Sequence, residues 1–361
     1  MLKLKLDFEV TLPAVSEAFS QTIGTTHLLP FEGGRAVAFG WGTNPGRPHG
    51  GPSGYWLAEL SRDGGVARVL PEGMTHEVQG LIAPQNPEAY LQAFQLGARF
   101  GILLTPEALL LFDSVQAEPV RIAIAGHFSG LGELAHSGNV ADSHYQVVHC
   151  GPGAGNRVPV VLASPTSRGA GRCVALLEID VDAGMARWLH TLSDGSPRHP
   201  QGEDYAGFDK EPGMTANMAQ LNSQATIPII QDCAWLGQEY LVYAAGYNKN
   251  YSRFGAPLSV LTRNHVDLSV LEPVFRAADP SLVHIAASLD RVIVSPLHKS
   301  GVRKGKQTIV TLADREEHAI TPPRGYAGHQ VLAYNAGHYW LAPRPMGYNG
   351  VPVTMQVCKE A

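Results

Sequence analysis

HLLPFEGGRAVAFGWG, residues 27–42, is a short apolar strand, a turn at Gly33–Gly34 and a second apolar strand; a Gly/Pro/Asn loop then leads to a third, GYWLAEL, at residues 54–60. The same unit returns along the chain with a period of roughly 60 residues, somewhat longer than most propeller repeats. YLQAFQLGARFGILLT from Tyr90 is followed by LLLFDS, and HYQVVHCGPGAGNRVPVVLAS from His144 by CVALLEID. QDCAWLGQEYLVYAAG from Gln231 precedes LSVLTRN, HIAASLDRVIVSPLH from His284 precedes QTIVTLAD, and HQVLAYNAGHYWLAPR from His329 precedes VPVTMQV. The first and fourth copies overlay without a gap. A turn and a fourth strand follow each third strand, as in GVARVLPE after Leu60 and MARWLHTL after Asp182, except in the last copy, which stops at Ala361.

MLKLKLDFEV, residues 1–10, alternates Leu2, Leu4, Leu6, Phe8 and Val10 with charged residues and belongs to no copy. Placed beside the third strand of the last copy, it supplies the missing fourth strand and closes a ring, which leaves no open array end. The expected fold is therefore all-β: one six-bladed β-propeller domain over 1–361, closed by the N-terminal strand joining the last blade. The expected blades are 24–75, 76–128, 140–192, 226–278, 280–324 and 326–361 plus 1–12, with an excursion at 193–225. Alternating strands alone also fit a β-sandwich or two small β-domains; the recurrence of the whole unit favours the ring.

Composition agrees with many short strands. Charged residues make up 16% of the 361, against 39 glycines and 26 prolines, and the net charge is −5. Neither nucleic acid nor an anionic membrane is an expected partner at that balance. No apolar run reaches the roughly 18 residues of a membrane span, and the alternating start is unlike a signal peptide, so a cytoplasmic protein is expected. Cys150, Cys173, Cys233 and Cys358 lack metal or disulfide spacing and read as buried thiols. Without a Walker sequence or a glycine-rich turn that opens a helix, no nucleotide cofactor is expected; a GxSxG elbow is also missing.

In a propeller the first strand of each blade lines the central channel. Aligning the copies puts His27, His284 and His329 at the start of that strand, with His144 near the same place and Gln231 at the matching position of the fourth copy. His149 fits the third copy as well as His144 does, and the second offers Tyr90, Leu91 or Gln92. With 15 histidines in the chain, such a coincidence points to neutral imidazoles converging on one divalent ion, manganese, zinc or iron. The same side chains also suit a polar channel wall bonded to backbone or water.

Loops between second and third strands emerge together on one face, and here they gather positive charge and aromatic rings. They hold Trp41, Arg47 and His49; Arg168 and Arg172; Tyr247, Lys249, Tyr251, Arg253 and Phe254; His298, Lys299, Arg303, Lys304 and Lys306; Arg344 and Tyr348. Guanidinium groups grip carboxylate or phosphate and rings stack on sugars, so an anionic small molecule or oligosaccharide is the expected ligand. Trp41, Arg47, Tyr251, Lys299, Arg303, Arg344 and Tyr348 are its candidate contacts. Glu203, Asp204, Asp209 and Glu211 of the excursion fit solvated carboxylates as well as a catalytic pair.

Strand–turn–strand copies with channel-facing histidines resemble the propeller polysaccharide lyases, the oligogalacturonate and ulvan lyases. Oligogalacturonate lyases hold a divalent metal with three histidines and a glutamine. The resemblance extends over the repeat pattern of most of the chain, though those enzymes have seven blades. It implies His27, His284 and His329 with Gln231 as metal ligands, His144 or His149 in reserve, and β-elimination from a uronic-acid sugar. Tyr247, Arg253 and His298 are the groups expected to reach the reacting centre. The alternative class is a non-catalytic propeller, for example a toxin-immunity protein, whose same face binds a protein partner.

Overall fold

A computed structural model describes residues 1–13, 15, 18–19, 22–44, 53–71, 91–105, 108–126, 146–163, 173–194, 228–236, 239–246, 259–265, 271–276, 283–288, 290–296, 307–311, 313–314, 316–343, 347–348 and 354–361. At 22–26, 105, 126, 146–149, 161–163, 173–176, 188–194, 294–296, 347–348 and throughout the strands between 228 and 287 it is the backbone that is described.

β1 is Leu2–Thr11. A first antiparallel meander follows as β2 (Thr22–Phe31), β3 (Arg35–Thr43), β4 (Gly54–Ser61) and β5 (Gly64–Val69). The second is β6 (Gln92–Leu96), β7 (Arg99–Thr105), β8 (Ala108–Phe112) and β9 (Val120–Ala123), with the short β10 (Ala125–Gly126) after it. The third is β11 (Gln146–Cys150), β12 (Arg157–Ala163), β13 (Cys173–Asp180) and β14 (Met185–Asp194). Next come β15 (Pro228–Leu236), β16 (Glu239–Gly246), β17 (Ser259–His265) and β18 (Leu271–Arg276), then β19 (Val283–Ala287), β20 (Arg291–Pro296), β21 (Thr308–Thr311) and β22 (Glu317–Thr321). The last group is β23 (Gln330–Asn335), β24 (His338–Ala342), the short β25 (Gly347–Tyr348) and β26 (Thr354–Glu360).

β1 takes the outer place in this last group. It runs antiparallel to β26 from Leu4 opposite Glu360 to Thr11 opposite Thr354, and Leu2 and Lys3 also pair in parallel with Ile320 and Thr321 of β22. The two final meanders thereby share one eight-stranded sheet, β19-β20-β21-β22-β1-β26-β24-β23. First strands touch in a circuit: β2 lies against β6, β6 against β11, β11 against β15, β15 against β19, β19 against β23, and β23 against β2.

The cores explain the circuit. A sheet with one apolar face needs one neighbour, but Ala108–Phe112, ALLLF, is buried at every position, so β8 must be covered on both sides. One face of the second meander, with Ala93, Phe100, Ile102, Leu110 and Phe112, packs against Leu29, Val37, Phe39, Tyr55 and Leu57 of the first. Its other face, with Phe94, Leu103, Leu109 and Leu111, meets Val158, Val160, Leu177 and Ile179 of the third. Val10, Trp340, Met355 and Val357 of the last group pack on Ala36, Ala38, Trp56 and Ala58 of the first. On the opposite side Leu4, Val331, Tyr339, Leu341 and Cys358 pack on Ile293, Ile309 and Ile320.

Close approach demands glycine at Gly101. Paired with Phe94, it leaves the space that the Phe94 ring fills; a Cβ there would lie 2.2 Å from Phe94 Cζ. Gly101→Ala is expected to cost about 1–3 kcal/mol, the range for overpacking a filled core. Denaturant unfolding checks this, and an unchanged midpoint would contradict it.

Candidate functional site

In an antiparallel meander, loops between second and third strands open at the same end as the connections to the next meander. In the first meander β3 ends and β4 begins at that end, and the intervening residues 45–52 lie outside the described residues. The base of that loop is tied: Ser53 N donates to Gly42 O at 2.7 Å and Asn44 N donates to Ser53 Oγ at 2.8 Å. Trp41, half-buried just below, accepts from Trp56 Nε1 at 3.2 Å through its carbonyl and rests on the core between the first two meanders.

Across the first strands, the side chains of His27 and Gln92 meet, Nε2 to Oε1 at 2.7 Å. A carboxamide oxygen only accepts, so His27 donates from Nε2, and that nitrogen is committed to the neighbouring strand. The His27 ring tilts onto Phe39 at 5.9 Å, and Phe39 stacks on Tyr55. Apolar packing thus holds the ring while a polar contact orients it.

A second polar group lies where the chain enters β23. Gln307, buried, donates from Nε2 to His329 O at 2.9 Å and accepts at Oε1 from Val331 N at 2.7 Å, while Ile320 N donates to its own carbonyl. One glutamine so satisfies two backbone groups that would otherwise be buried without partners. The His329 ring stands edge-on to Tyr326, whose hydroxyl donates to Glu9 Oε1 at 2.8 Å, and Gln356 Nε2 donates to the same oxygen at 3.0 Å. These two bonds hold the Glu9 carboxyl below its usual range. Burial lowers His329 from the ordinary histidine value, against an opposing pull from Glu9, and the bond to Glu9 pushes the Tyr326 phenol up.

The ladder between first and second strands skips one residue at Thr26, Val148, Gln231 and Leu332. Such a bulge is a common register mark. By that mark His27 corresponds to His149 and Asp232, and Gln231 to Thr26. The gapless overlay of the first and fourth copies is therefore one residue out of step, because Phe31–Arg35 closes over three residues and Leu236–Glu239 over two. His329 lies one residue before β23, near the register of Ile23 in β2. By this mark about four residues, roughly 13 Å of strand, separate its level from that of His27. Among the described residues no three His, Cys, Asp or Glu side chains gather closely enough to hold a metal.

His284 sits in β19 opposite Ser295. Tyr348 belongs to β25, which crosses from the last meander to pair with Ile23 of β2, so that loop reaches the first strand of the ring. His144, Tyr247, Tyr251, Arg253, Arg47, His298, Lys299, Arg303 and Arg344 lie outside the described residues. Sequence reading did not single out Glu9, Gln307, Tyr326 or Gln356. Glu9 and Tyr326 stand 317 residues apart, and the available signal was the closure itself, which sets Glu9 opposite Gln356.

The chain matches solved structures over its whole length. Penicillium chrysogenum α-L-arabinanase, complexed with arabinobiose, aligns with a TM-score of 0.50 at 11% identity, covering 99% of this chain and 98% of that one. A Fusarium graminearum α-L-arabinofuranosidase mutant, in complex with an iminosugar inhibitor, also gives 0.50, at 9% identity with 99% and 98% covered. The fold is a β-propeller. At these identities the blades are what is shared. Oligogalacturonate lyase from Vibrio parahaemolyticus aligns at 0.42 and 10% identity over 99% of this chain and 97% of that one; a likeness of that size carries no weight for the activity of this propeller. No protein-family model matches the sequence, and no curated protein does.

Proposed function

We propose that this propeller has six blades and that its loop-bearing face binds an acidic oligosaccharide over the inner strands. The circuit of first-strand contacts from β2 round to β23, with β1 and β26 side by side, supports six. The binding reading is carried by the His27–Gln92 pair at 2.7 Å, a polar group on two adjoining inner strands of a chain whose connections between second and third strands contain Arg47, Arg253, Lys299, Arg303 and Arg344 in sequence. Trp41 offers a ring at the base of one such loop, and β25 brings the Tyr348 backbone over the first blade. Arabinobiose bound to the arabinanase and an iminosugar inhibitor bound to the arabinofuranosidase make a saccharide the favoured class of ligand.

The finer form of the proposal is β-elimination from a uronic acid. Arg253 would neutralise the carboxylate, which acidifies the adjacent C5–H; His298 or Tyr247 would take that proton, the C4–O bond to the neighbouring sugar would break as the C4=C5 double bond forms, and the departing oxygen would take a proton from the protonated base or from water. Manganese, zinc or iron would add positive charge beside that carboxylate. Among the described residues the side chains do not complete a site for it, and His27, His144, Gln231, His284 and His329 stand as its candidate ligands.

Titration calorimetry with an oligogalacturonate and a neutral arabinan oligosaccharide of equal length tests the reading. The acidic sugar is expected to bind more tightly, and Trp41→Ala and Arg344→Ala each to weaken it by about tenfold, roughly 1.4 kcal/mol. A rise in ultraviolet absorbance from an unsaturated product would extend binding to elimination. Equal affinity for both sugars, or none for either, contradicts the proposal, and the second result points to a protein partner.

A further inference from the structure

The face opposite the long loops carries a different cluster, on the seam where the last blade meets the first. Asp7 is the residue passed over by the bulge between Leu6 and Phe8 of β1, a place where bulges re-aim side chains. Its carboxylate meets Arg62 of the β4–β5 turn at 2.7 Å and Lys359 of β26 at 3.1 Å. The Arg62 guanidinium lies over the Phe8 ring at 4.8 Å, and Asn335 Nδ2 donates to Pro30 O at 2.9 Å across the same seam.

His338 is the titratable group between them. It begins β24, half-buried, and its ring rests against Gly34 of the turn between β2 and β3: a Cβ on Gly34 would come within 3.0 Å of His338 Cδ2 and 3.2 Å of Phe8 Cε1. Gly34 also has φ +74, so the first blade presents bare backbone to the imidazole. Among the described residues Nδ1 is buried without a well-formed hydrogen bond. Facing the ring are Asp7 on β1, Lys359 on β26, Arg62 on the β4–β5 turn and the Ala336 carbonyl on its own hairpin. Glu32 and Arg35 flank Gly34, exposed, with Arg35 paired to Glu59 at 3.2 Å.

We propose that this seam is a proton-operated latch: protonating His338 adds a third positive charge beside Arg62 and Lys359, with Asp7 the one carboxylate bridging them among the described residues, and loosens the last blade from the first. Burial, Lys359 and Arg62 all oppose the charged imidazole, and together they outweigh Asp7 and the Ala336 carbonyl, so its pKa is lowered. A lowered histidine stabilises the fold fully above its ordinary value, about 6.5, and that contribution is lost as pH falls through the folded value. Asp7 is lowered as well, by Arg62 first, so its contribution persists until pH drops below about 4. Mild acid therefore acts on the seam through His338 while the Asp7 ion pairs are still charged. The inference rests on ring closure and is independent of the saccharide reading.

Hydrogen–deuterium exchange, corrected for the intrinsic pH dependence of amide exchange, tests it at about pH 7.5 and about pH 5.5. In the wild-type protein the Gly34 turn and the first half of β1 should lose protection at least about fivefold more than β7 and β8 on acidification. His338→Gln should remove that difference. His329→Gln, at the other end of the last blade, should leave it in place. Equal loss of protection in wild type and His338→Gln, or no seam-specific loss in wild type, would overturn the latch. Should His338→Gln fail to fold, carbon-13 signals of the wild-type histidine rings carry the test: His338 must titrate below about 6.5, and a midpoint at or above that value overturns the proposal.

Discussion

A chain lacking residues 1–11 is expected to lose cooperative folding. β1 contributes Leu4 to the core shared with the fifth blade and Val10 to the core shared with the first. Each buried aliphatic side chain of that size is worth about 1.5–3 kcal/mol, against a typical total stability of about 5–15 kcal/mol. The same deletion removes the Asp7 contacts to Arg62 and Lys359, the Glu9 contacts to Tyr326 and Gln356, and every hydrogen bond on the outer side of β26. An unpaired β26 is also an aggregation template. Guanidinium unfolding followed by circular dichroism should show no cooperative transition, or one at much lower denaturant. A truncated chain with the full-length midpoint would mean that β1 is an appendage.

Trp340→Ala should be among the most damaging single substitutions, at about 3–5 kcal/mol. Trp340 is fully buried between the last blade and the first, edge-on to Phe8 at 6.3 Å, and it shares a core with Trp56, Val10 and Val357. Among the described residues its indole Nε1 is buried without a hydrogen-bond partner, which subtracts from what the ring contributes. Trp340→Phe relieves that cost while keeping most of the packing, so its loss is expected to stay under about 1.5 kcal/mol, the range of a tolerated hydrophobic swap. Equilibrium unfolding of the two variants separates the terms. Equal losses would contradict the unpaired indole.

Strand order was legible because it rests on local signals. Gly33–Gly34 punctuates one hairpin, the apolar runs on either side are the strands, and the alternation from Leu2 to Val10 needed a partner outside its own neighbourhood, which proved to be β26. Register was less legible. Nothing local announces that Phe31 pairs with Arg35 while Leu236 pairs with Glu239, one residue closer, yet that difference shifts Gln231 from the level of His27 to that of Thr26. A one-residue slip in a strand changes which face a side chain occupies, so a histidine column inferred by overlay is sensitive to every turn. Contacts between distant strands escaped as well. β25 pairing with β2, β10 with β14, and the Tyr326–Glu9 bond link segments that no spacing rule connects. Of the candidate site, His27 and its potential partner Gln92 were within reach of the alignment, whereas Gln307 holds His329 through backbone atoms, which carry no sequence signature.

A crystal structure of the protein grown with an oligogalacturonate would test the central claim most directly. Six blades with β1 outermost in the last are expected, with the sugar lying over the inner strands on the loop-bearing face, its carboxylates toward the arginine-bearing loops and a ring against Trp41. A different number of blades, or the sugar seated on the outer rim or on the face that holds Asp7 and Arg62, would contradict it.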